Sequence, residues 1–168
     1  MGASTMNIET IRLLYDYTYW AHQKVWNYVL KLNEEQFNRQ LNYSWGTIQA
    51  QLVHTMSAEW IWFNRMKSVS PSSMIAFEDY PTRESIRTRW DEVEREVRAY
   101  VDSLTPDDLM SDFDYQTTGG KSYTNKRLHI LLHVVNHGTD HRAQILAMIH
   151  AMGGETVEQD LIYYLRSQ

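Results

Sequence analysis

The chain has 168 residues and no cysteine, so it can build a hydrophobic core without disulfides and has no thiolate nucleophile or thiolate metal ligand. Its formal net charge of −5 at pH 7 argues against nucleic acid or an anionic membrane surface as a partner. The first ten residues carry no apolar run after a basic patch, and no window approaches the roughly 18 apolar residues of a membrane span. We therefore expect a single cytoplasmic domain that covers residues 1–168.

The first part of the chain predicts two long helices joined by a polar connection. Residues 7–32 repeat apolar side chains at spacings of three and four without Gly or Pro, and Asn7 is a candidate N-cap. Residues 33–43 are polar and predict a connection with room for one short turn. Ser44 is then a candidate N-cap for a second helix over residues 45–67.

A long loop separates this pair from a third predicted helix. Residues 68–81 contain two prolines and four serines, a composition typical of loops. Thr82 then starts a helix that runs to about Ser103, with one apolar face and one densely charged face. The segment Leu104–Asp108 reads as a turn, with Pro106 near its start.

The last part of the chain predicts a small hairpin and the longest helix. Residues 110–123 alternate aromatic and polar side chains around Thr-Thr-Gly-Gly, a plausible hairpin turn. Thr124 or Asn125 caps a long fourth helix that ends at Gly153–Gly154, and residues 156–165 predict a final short helix. The whole pattern indicates an all-α four-helix bundle with a long loop after helix 2, a small hairpin-like segment before helix 4 and a short C-terminal helix.

The fourth predicted helix carries four histidines at a strict spacing of four, which are His129, His133, His137 and His141. Imidazoles one helical turn apart point in the same direction and can share one metal ion. On a helical wheel His141 lies inside the apolar arc and His137 lies at its margin, so this pair is the best placed. His133 is a reserve candidate, and we expect His129 at the surface.

Other polar residues in apolar stripes are further candidates. His54 lies opposite the strongest apolar stripe of the second helix, so periodicity alone does not select it. Glu59 lies inside that stripe, where an unpaired carboxylate is costly. His22, at the edge of the first helix's stripe, is either a hydrogen-bonded core or boundary histidine, or a pocket residue or extra ligand. No Glu stands three residues before any of the four histidines and H-E-x-x-H is absent, which excludes the usual diiron-carboxylate and metalloprotease patterns.

Four segments resemble the DinB-like family of metal-binding helical bundles. HVVNHGTDHRAQI is similar to the family's signature, LLYDYTYWAHQKVW to its opening helix, QLVHTMSAEWIW to its second helix and DLIYYL to its C-terminal helix. These segments span nearly the whole chain in the family's order. The resemblance implies a divalent metal held by His54, His137 and His141, and it implies a homodimer. The family often has Asn where this chain has His22, which implies a fourth nitrogen near the site.

Three neutral imidazoles leave at least one position open on Zn²⁺, Ni²⁺ or a similar ion, which can lower the pKa of a bound water or thiol. The activities assigned in related proteins include metal-dependent transfer or isomerisation with low-molecular-weight thiols. The resemblance therefore implies a metal-dependent thiol transferase, or a hydrolase-like enzyme, with a small-molecule substrate. Glu59 is then a candidate for acid–base chemistry or for contact with a ligand histidine. Arg142 is a candidate for binding a substrate carboxylate or for a dimer interface. The alternatives are a non-catalytic, stress-related metal-binding or interaction module and a bundle that binds only adventitious metal.

Overall fold

The computed structural model describes residues 7–168. Residues 1–6, which belong to the N-terminal stretch predicted to lack an apolar run after a basic patch, lie outside the described residues. The described chain is mostly helical and contains one two-stranded sheet. Its elements, in chain order, are α1 (Ile8–Val29), α2 (Glu34–Asn38), α3 (Ile48–Met66), a 3₁₀ turn (Phe77–Asp79), α4 (Arg83–Ser103), α5 (Pro106–Met110), β1 (Asp112–Gln116), β2 (Ser122–Lys126), α6 (Arg127–Ala151) and α7 (Leu161–Leu165).

The four long helices α1, α3, α4 and α6 surround the core. Both α1 and α3 pack against α4 and against α6. Large side chains from all four helices are fully buried between them, among them Ile11, Tyr15, Leu52, Met56, Ile86, Trp90 and Leu131. Burial of each such side chain contributes about 1.5–3 kcal/mol relative to exposure. The packing of α3 against α6 matters most for function, because it places the histidine-bearing faces of two helices side by side.

The N-caps define where the long helices begin. The predicted cap Asn7 is confirmed, since its side chain accepts a hydrogen bond from the backbone N–H of Glu9. Thr82, where the third long helix was predicted to start, is the N-cap of α4 and accepts from the N–H of Ser85. The prediction that Ser44 caps the second long helix was wrong. Ser44 has a φ of 48° and belongs to a turn. The cap of α3 is instead Thr47, whose hydroxyl accepts from the N–H of Ala50, and the helix starts three residues later than predicted.

Short elements replace parts of the predicted connections. The connection after α1 contains α2, a helix of one turn with a capping box, which confirms the predicted short turn. The predicted turn at Leu104–Asp108 continues into the short helix α5, because Thr105 forms a capping box with Asp108 and Pro106 occupies the first helical position. The last helix, α7, is shorter than its predicted span of residues 156–165.

The predicted hairpin is confirmed and extends further than expected. β1 and β2 are antiparallel, and Tyr115 is paired with Tyr123 in their register. The prediction that Thr124 or Asn125 caps the following helix was wrong, because both residues belong to β2. The carboxamide Oδ1 of Asn125 accepts a hydrogen bond from the hydroxyl of Tyr115 across the hairpin. α6 therefore follows β2 directly, and Lys126 at its N-cap position makes no side-chain cap.

A membrane span is not found in the part of the chain that the structure describes. No helix between residues 7 and 168 is both long enough and apolar enough to cross a bilayer.

Candidate metal centre

α3 and α6 bring three histidines to one point. His137 and His141 lie one turn apart on α6, and His54 lies on the facing side of α3. The ring centroid of His54 is 4.7 Å from that of His141 and 5.4 Å from that of His137. The centroids of His137 and His141 are 4.1 Å apart. The pair that the wheel selected thus meets the histidine that only the family resemblance selected.

The donor geometry of this cluster suits a divalent ion. One ring nitrogen from each of His54, His137 and His141 lies within 4.8 Å of the other two. Nitrogens bound to one tetrahedral Zn²⁺, at about 2.0–2.1 Å from the ion, are roughly 3.4 Å apart, so small side-chain rotations close the set. Within residues 7–168 it is the one group of potential ligand side chains that meets this distance. Three imidazoles of borderline softness fit Zn²⁺ or Ni²⁺ better than Mg²⁺ or Ca²⁺, which prefer oxygen ligands.

The surroundings keep the three imidazoles neutral, as metal binding requires. Burial, with a contribution from His141, lowers the pKa of His54 to about 4. Burial and the other histidines lower the pKa of His137 to about 3, although Asp140 opposes this shift. Burial likewise lowers the pKa of His141. At neutral pH all three rings therefore offer a free lone pair, and a cation is the species that their shared geometry favours.

A polar network holds His141 from behind. The fully buried amide of Gln51 contacts Nδ1 of His141 through its Nε2 atom. The hydroxyl of Ser44 lies 2.7 Å from Oε1 of Gln51 and 2.5 Å from Oε1 of Gln144. Gln144 in turn donates to the carboxylate of Asp140 at 3.0 Å. This network fixes the ring plane of His141, as polar groups around a metal centre usually do for its histidines.

The indole of Trp45 forms one wall of the centre. Its ring stacks on His54 with a centroid distance of 4.1 Å and an interplanar angle of 22°. Trp45 is nevertheless 52% exposed, so its other face is open to solvent. The turn that carries it contains Ser44 and Gly46, both with positive φ, at 48° and 84°. The left-handed conformation at Gly46 is one that glycine adopts without strain, and it directs the chain so that Trp45 reaches back over α3.

The remaining histidines of the ladder lie progressively outside the cluster. His133 is exposed, and its ring centroid is 5.8 Å from that of His137. It also makes an edge-to-face contact with Trp62 at 5.2 Å. His129 is exposed, as predicted. His133 therefore lines the approach to the cluster, and His129 lies too far along α6 to take part.

Glu59 lies in the core and pairs with an indole. It is 3% exposed, and its Oε2 accepts a hydrogen bond of 3.0 Å from Nε1 of Trp90. Burial raises the pKa of Glu59 to about 7, although the bond from Trp90 and the charge of Arg142 oppose this shift. The partner of Glu59 is thus Trp90 of α4 rather than a ligand histidine, and its carboxyl group titrates close to neutral pH.

His22 and Arg142 are also buried in the body of the protein. The ring of His22 packs 3.9 Å from that of Trp90, and its buried Nε2 has no hydrogen-bond partner among the described residues. Burial lowers the pKa of His22 well below its usual value. Arg142 is 2% exposed and donates to Gln159 at 2.7 Å and to Thr139 at 3.0 Å. The bond to Gln159 ties α6 to the segment before α7.

Gly138 allows α1 to approach α6 closely. A Cβ atom at this position would lie 3.2 Å from Nη1 of Arg142 and 3.8 Å from Cγ2 of Thr18 on α1. The face of α6 at Gly138, about a quarter turn around the helix from the cluster, is therefore closely packed, and Gly138 sits between His137 and His141 in the sequence. This packing sets how far α6 is rotated about its axis and hence where its two histidines point.

Three residues of this site were not predicted from the sequence, namely Gln51, Gln144 and Trp45. Gln51 had a usable signal, since it lies one helical turn before His54 and so shares its face of α3. Gln144 had a weaker one, three residues after His141. Trp45 had none, because its position depends on the turn at Gly46 rather than on any helical spacing.

Fold and site together define a helical protein with a three-histidine cluster that can hold a metal ion. The chain belongs to the DinB family, whose sequence model matches residues 1–168. The resemblance drawn from its helical segments is thereby confirmed.

One known protein and one solved structure are similar to this chain. Protein DinB of Bacillus subtilis (strain 168) is 25% identical over 157 residues, which cover 90% of this chain and 91% of that protein. The crystal structure of a DinB-like protein from Bacillus cereus ATCC 10987 superposes with a TM-score of 0.58 at 16% identity, covering 87% of this chain and 94% of that one. At this identity the second comparison supports the fold alone.

Proposed function

We propose that the chain is a metal-dependent enzyme, most simply a transferase that acts with a low-molecular-weight thiol on an electrophilic small molecule. The observation that carries the proposal is the convergence of three neutral imidazole nitrogens within 4.8 Å at a partly exposed position. His54 and His137 are half-buried and His141 is buried, so the cluster is anchored on one side and accessible on the other. Such a site leaves room for an exogenous group beside the three protein ligands.

The residues of the chain have separable parts in this function. A divalent ion held by His54, His137 and His141 supplies Lewis acidity, which lowers the pKa of a bound thiol or water. Gln51 fixes the ring plane of His141. Trp45 shields one face of His54 from water and presents its other face to an incoming substrate. We propose Zn²⁺ or Ni²⁺ as the ion, on the basis of the all-imidazole donor set.

Metal analysis of untagged protein tests the binding half of the proposal. We expect the wild-type chain to retain close to one equivalent of Zn²⁺ or Ni²⁺ after dialysis, and His137→Ala to lose it. His129→Ala is the matched control, because it removes an exposed imidazole from the same helix outside the cluster. Equal metal content in wild type and His137→Ala would contradict the proposed metal centre.

Turnover assays test the catalytic half. Metal-loaded protein is incubated with a panel of thiols and electrophiles, and conjugate formation is compared with that of His137→Ala. We expect conjugation that depends on both metal and thiol. Stoichiometric metal without turnover for any pair would instead support the non-catalytic metal-binding or interaction module.

Architecture and assembly complete the proposal. The mutual packing of the four long helices supports a four-helix bundle that forms one domain over residues 1–168. We propose a homodimer, supported by large apolar side chains left at the surface, such as Leu30, Ile162 and Leu165. Light scattering of the purified protein tests this, and a monomer mass would exclude it. We also propose a cytoplasmic location without nucleic-acid partners, supported by the cysteine-free composition and the net charge of −5.

A further inference from the structure

Arg65 of α3 is a buried arginine without a polar partner. It is 5% exposed, and its Nε is fully buried without a hydrogen bond. Among residues 7–168 no carboxylate forms an ion pair with its guanidinium, and no carbonyl or hydroxyl accepts a hydrogen bond from it. A guanidinium stays charged at any physiological pH, and burial of an uncompensated charge is costly. The cost is removed if an anion from outside the chain completes the site.

Two aromatic rings in mutual contact, with centroids 5.1 Å apart, lie on one side of this guanidinium. Its central carbon lies 4.6 Å from the ring centroid of Trp62 and 5.4 Å from that of Tyr115 on β1. The rings interact with the charge of the group and accept no conventional hydrogen bond from its N–H edge. That edge is a fork of donors whose spacing matches the two oxygens of a carboxylate or a phosphate. The aromatic rings therefore orient a donor set that the protein itself does not use.

A partly exposed strip connects Arg65 to the histidine cluster. The half-buried ring of Trp62 contacts His133 at 5.2 Å, and exposed His133 lies 5.8 Å from His137. Along α3, Arg65 follows His54 by eleven residues, which is about 16 Å at 1.5 Å per residue. An extended ligand on this strip could place one end at the cluster and the other against Arg65.

We propose that Arg65, Trp62 and Tyr115 form a subsite for the carboxylate or phosphate end of an elongated small molecule whose other end lies at the histidine cluster. This inference rests on the proposed function for the cluster, and it adds a substrate class: ligands with a terminal oxyanion two to three helical turns away from the reacting group. The competing role for Arg65 is purely structural, in which it only joins α3 to the hairpin by stacking on Tyr115.

A pair of thiols of equal length tests the inference. Cobalt-substituted protein is titrated with mercaptoundecanoic acid and with mercaptoundecanol, and thiolate binding is followed by the sulfur-to-cobalt charge-transfer absorption. We expect the acid to bind about tenfold tighter than the alcohol, as for a charge-assisted hydrogen bond shielded from water. Mercaptopropionic acid, which is too short to reach Arg65, should show no such advantage over mercaptopropanol.

Two arginine variants show whether the preference belongs to Arg65. Arg65→Met should abolish the advantage of the long acid while cobalt binding persists, and Arg65→Lys should keep only part of it. Arg127→Met is the matched control, because Arg127 also lies over aromatic rings at this end of α6 but donates to the carbonyl of Met66. Equal binding of acid and alcohol by wild-type protein, or an undiminished preference in Arg65→Met, would overturn the subsite.

A measurement on metal-free protein separates this inference from the proposed function. The Nε–Hε resonance of Arg65, identified by its absence in Arg65→Lys, is followed by NMR as inorganic phosphate or acetate is added. We expect a saturable shift, and the two titrations show which oxyanion is preferred. No shift with either anion would overturn the subsite, whereas failure to bind cobalt would overturn only the metal centre.

Discussion

Gln51 contacts the imidazole of His141 at Nδ1, which leaves the other ring nitrogen, Nε2, available for a metal ion. In the contact, Nε2 of Gln51 lies against Nδ1 of His141. If Nε2 of His141 binds the ion, Nδ1 carries the proton, and a half-turn of the amide brings Oε1 of Gln51 to accept it. The turned amide then donates to the hydroxyl of Ser44, which donates to Oε1 of Gln144. The same rotation ends the bond that Nε2 of Gln51 donates to Oε1 of Gln144 at 3.2 Å, so the metal-binding tautomer also requires an adjustment of Gln144.

Loss of the amide at position 51 should therefore weaken metal binding. We expect Gln51→Leu to lower Zn²⁺ affinity by about 10–100-fold, because the ring of His141 loses its orienting partner. Competition with a chromophoric chelator measures this. Gln49→Leu is the matched control, since Gln49 lies on the same helix but donates to the carbonyls of Phe77 and Tyr80. Equal affinities in the two variants would contradict the role of Gln51.

The buried carboxyl group of Glu59 should make stability depend on pH. Its pKa is about 7 in the folded chain against a usual value of 4.5. Between these values the folded state keeps a proton that the unfolded state has lost, so this contribution to stability falls as pH rises. The loss is complete above pH 7 and amounts to about 3 kcal/mol. Urea unfolding of metal-free wild type and Glu59→Gln at pH 4.5 and pH 8 measures it.

The expected result is that the stability of Glu59→Gln relative to wild type increases by about 3 kcal/mol from pH 4.5 to pH 8. Other titrating groups, including His22, contribute equally to both proteins and cancel in the difference. Glu96→Gln, at an exposed position on α4, controls for the change in net charge. Parallel pH curves for wild type and Glu59→Gln would show that Glu59 does not titrate as its burial indicates.

The indole of Trp90 should matter more once Glu59 is ionised. Trp90→Phe removes the N–H that Oε2 of Glu59 accepts and leaves the carboxyl group without this donor. We expect a destabilisation of about 1–3 kcal/mol from the lost bond, with the larger value at pH 8. Chemical denaturation at pH 5 and pH 8 provides the measurement. Trp20→Phe, at a half-buried indole on α1, should show no such pH-dependent difference.

The stacked indole of Trp45 should slow the escape of the metal. We expect Trp45→Leu to increase the rate at which a chelator removes the ion by about 2–10-fold, since an aromatic pair contributes about 0.5–1.5 kcal/mol. Stopped-flow mixing of metal-loaded protein with excess chelator records the rate. Trp20→Leu is the control, because that indole packs on Tyr164 of α7. If Trp45→Leu loses the metal at the wild-type rate, the stacking of Trp45 on His54 does not retain the metal and has only a structural role.

The long helices were predictable because each depends on the spacing of apolar residues within its own segment. The wheel selected His137 and His141 because α6 has an apolar arc with a defined edge. It failed for His54 because α3 is buried on several sides, including at Gln51, Ala58 and Glu59, so no single stripe marks its inner face. The family resemblance was needed to find His54.

The start of α3 and the partner of Glu59 were not predictable for a different reason. The turn that moves the cap from Ser44 to Thr47 depends on left-handed backbone at Ser44 and Gly46, which a serine N-cap pattern does not anticipate. The bond between Glu59 and Trp90 joins two residues that lie 31 positions apart in the chain, on different helices. Such pairings depend on helix packing, which periodicity within one helix does not report.

Gly138 has a consequence for anyone who wishes to move this centre into another protein. The two histidines of α6 take their direction from the contact of α1 with a neighbouring face of that helix, where Thr18 lies 3.8 Å from the position that a Cβ atom on Gly138 would occupy. Grafting His54, His137, His141 and Gln51 onto a different bundle would copy the donor atoms without this backing. A successful graft must also carry the close approach of two backbones at Gly138, so the smallest portable unit of the site comprises three helices rather than two.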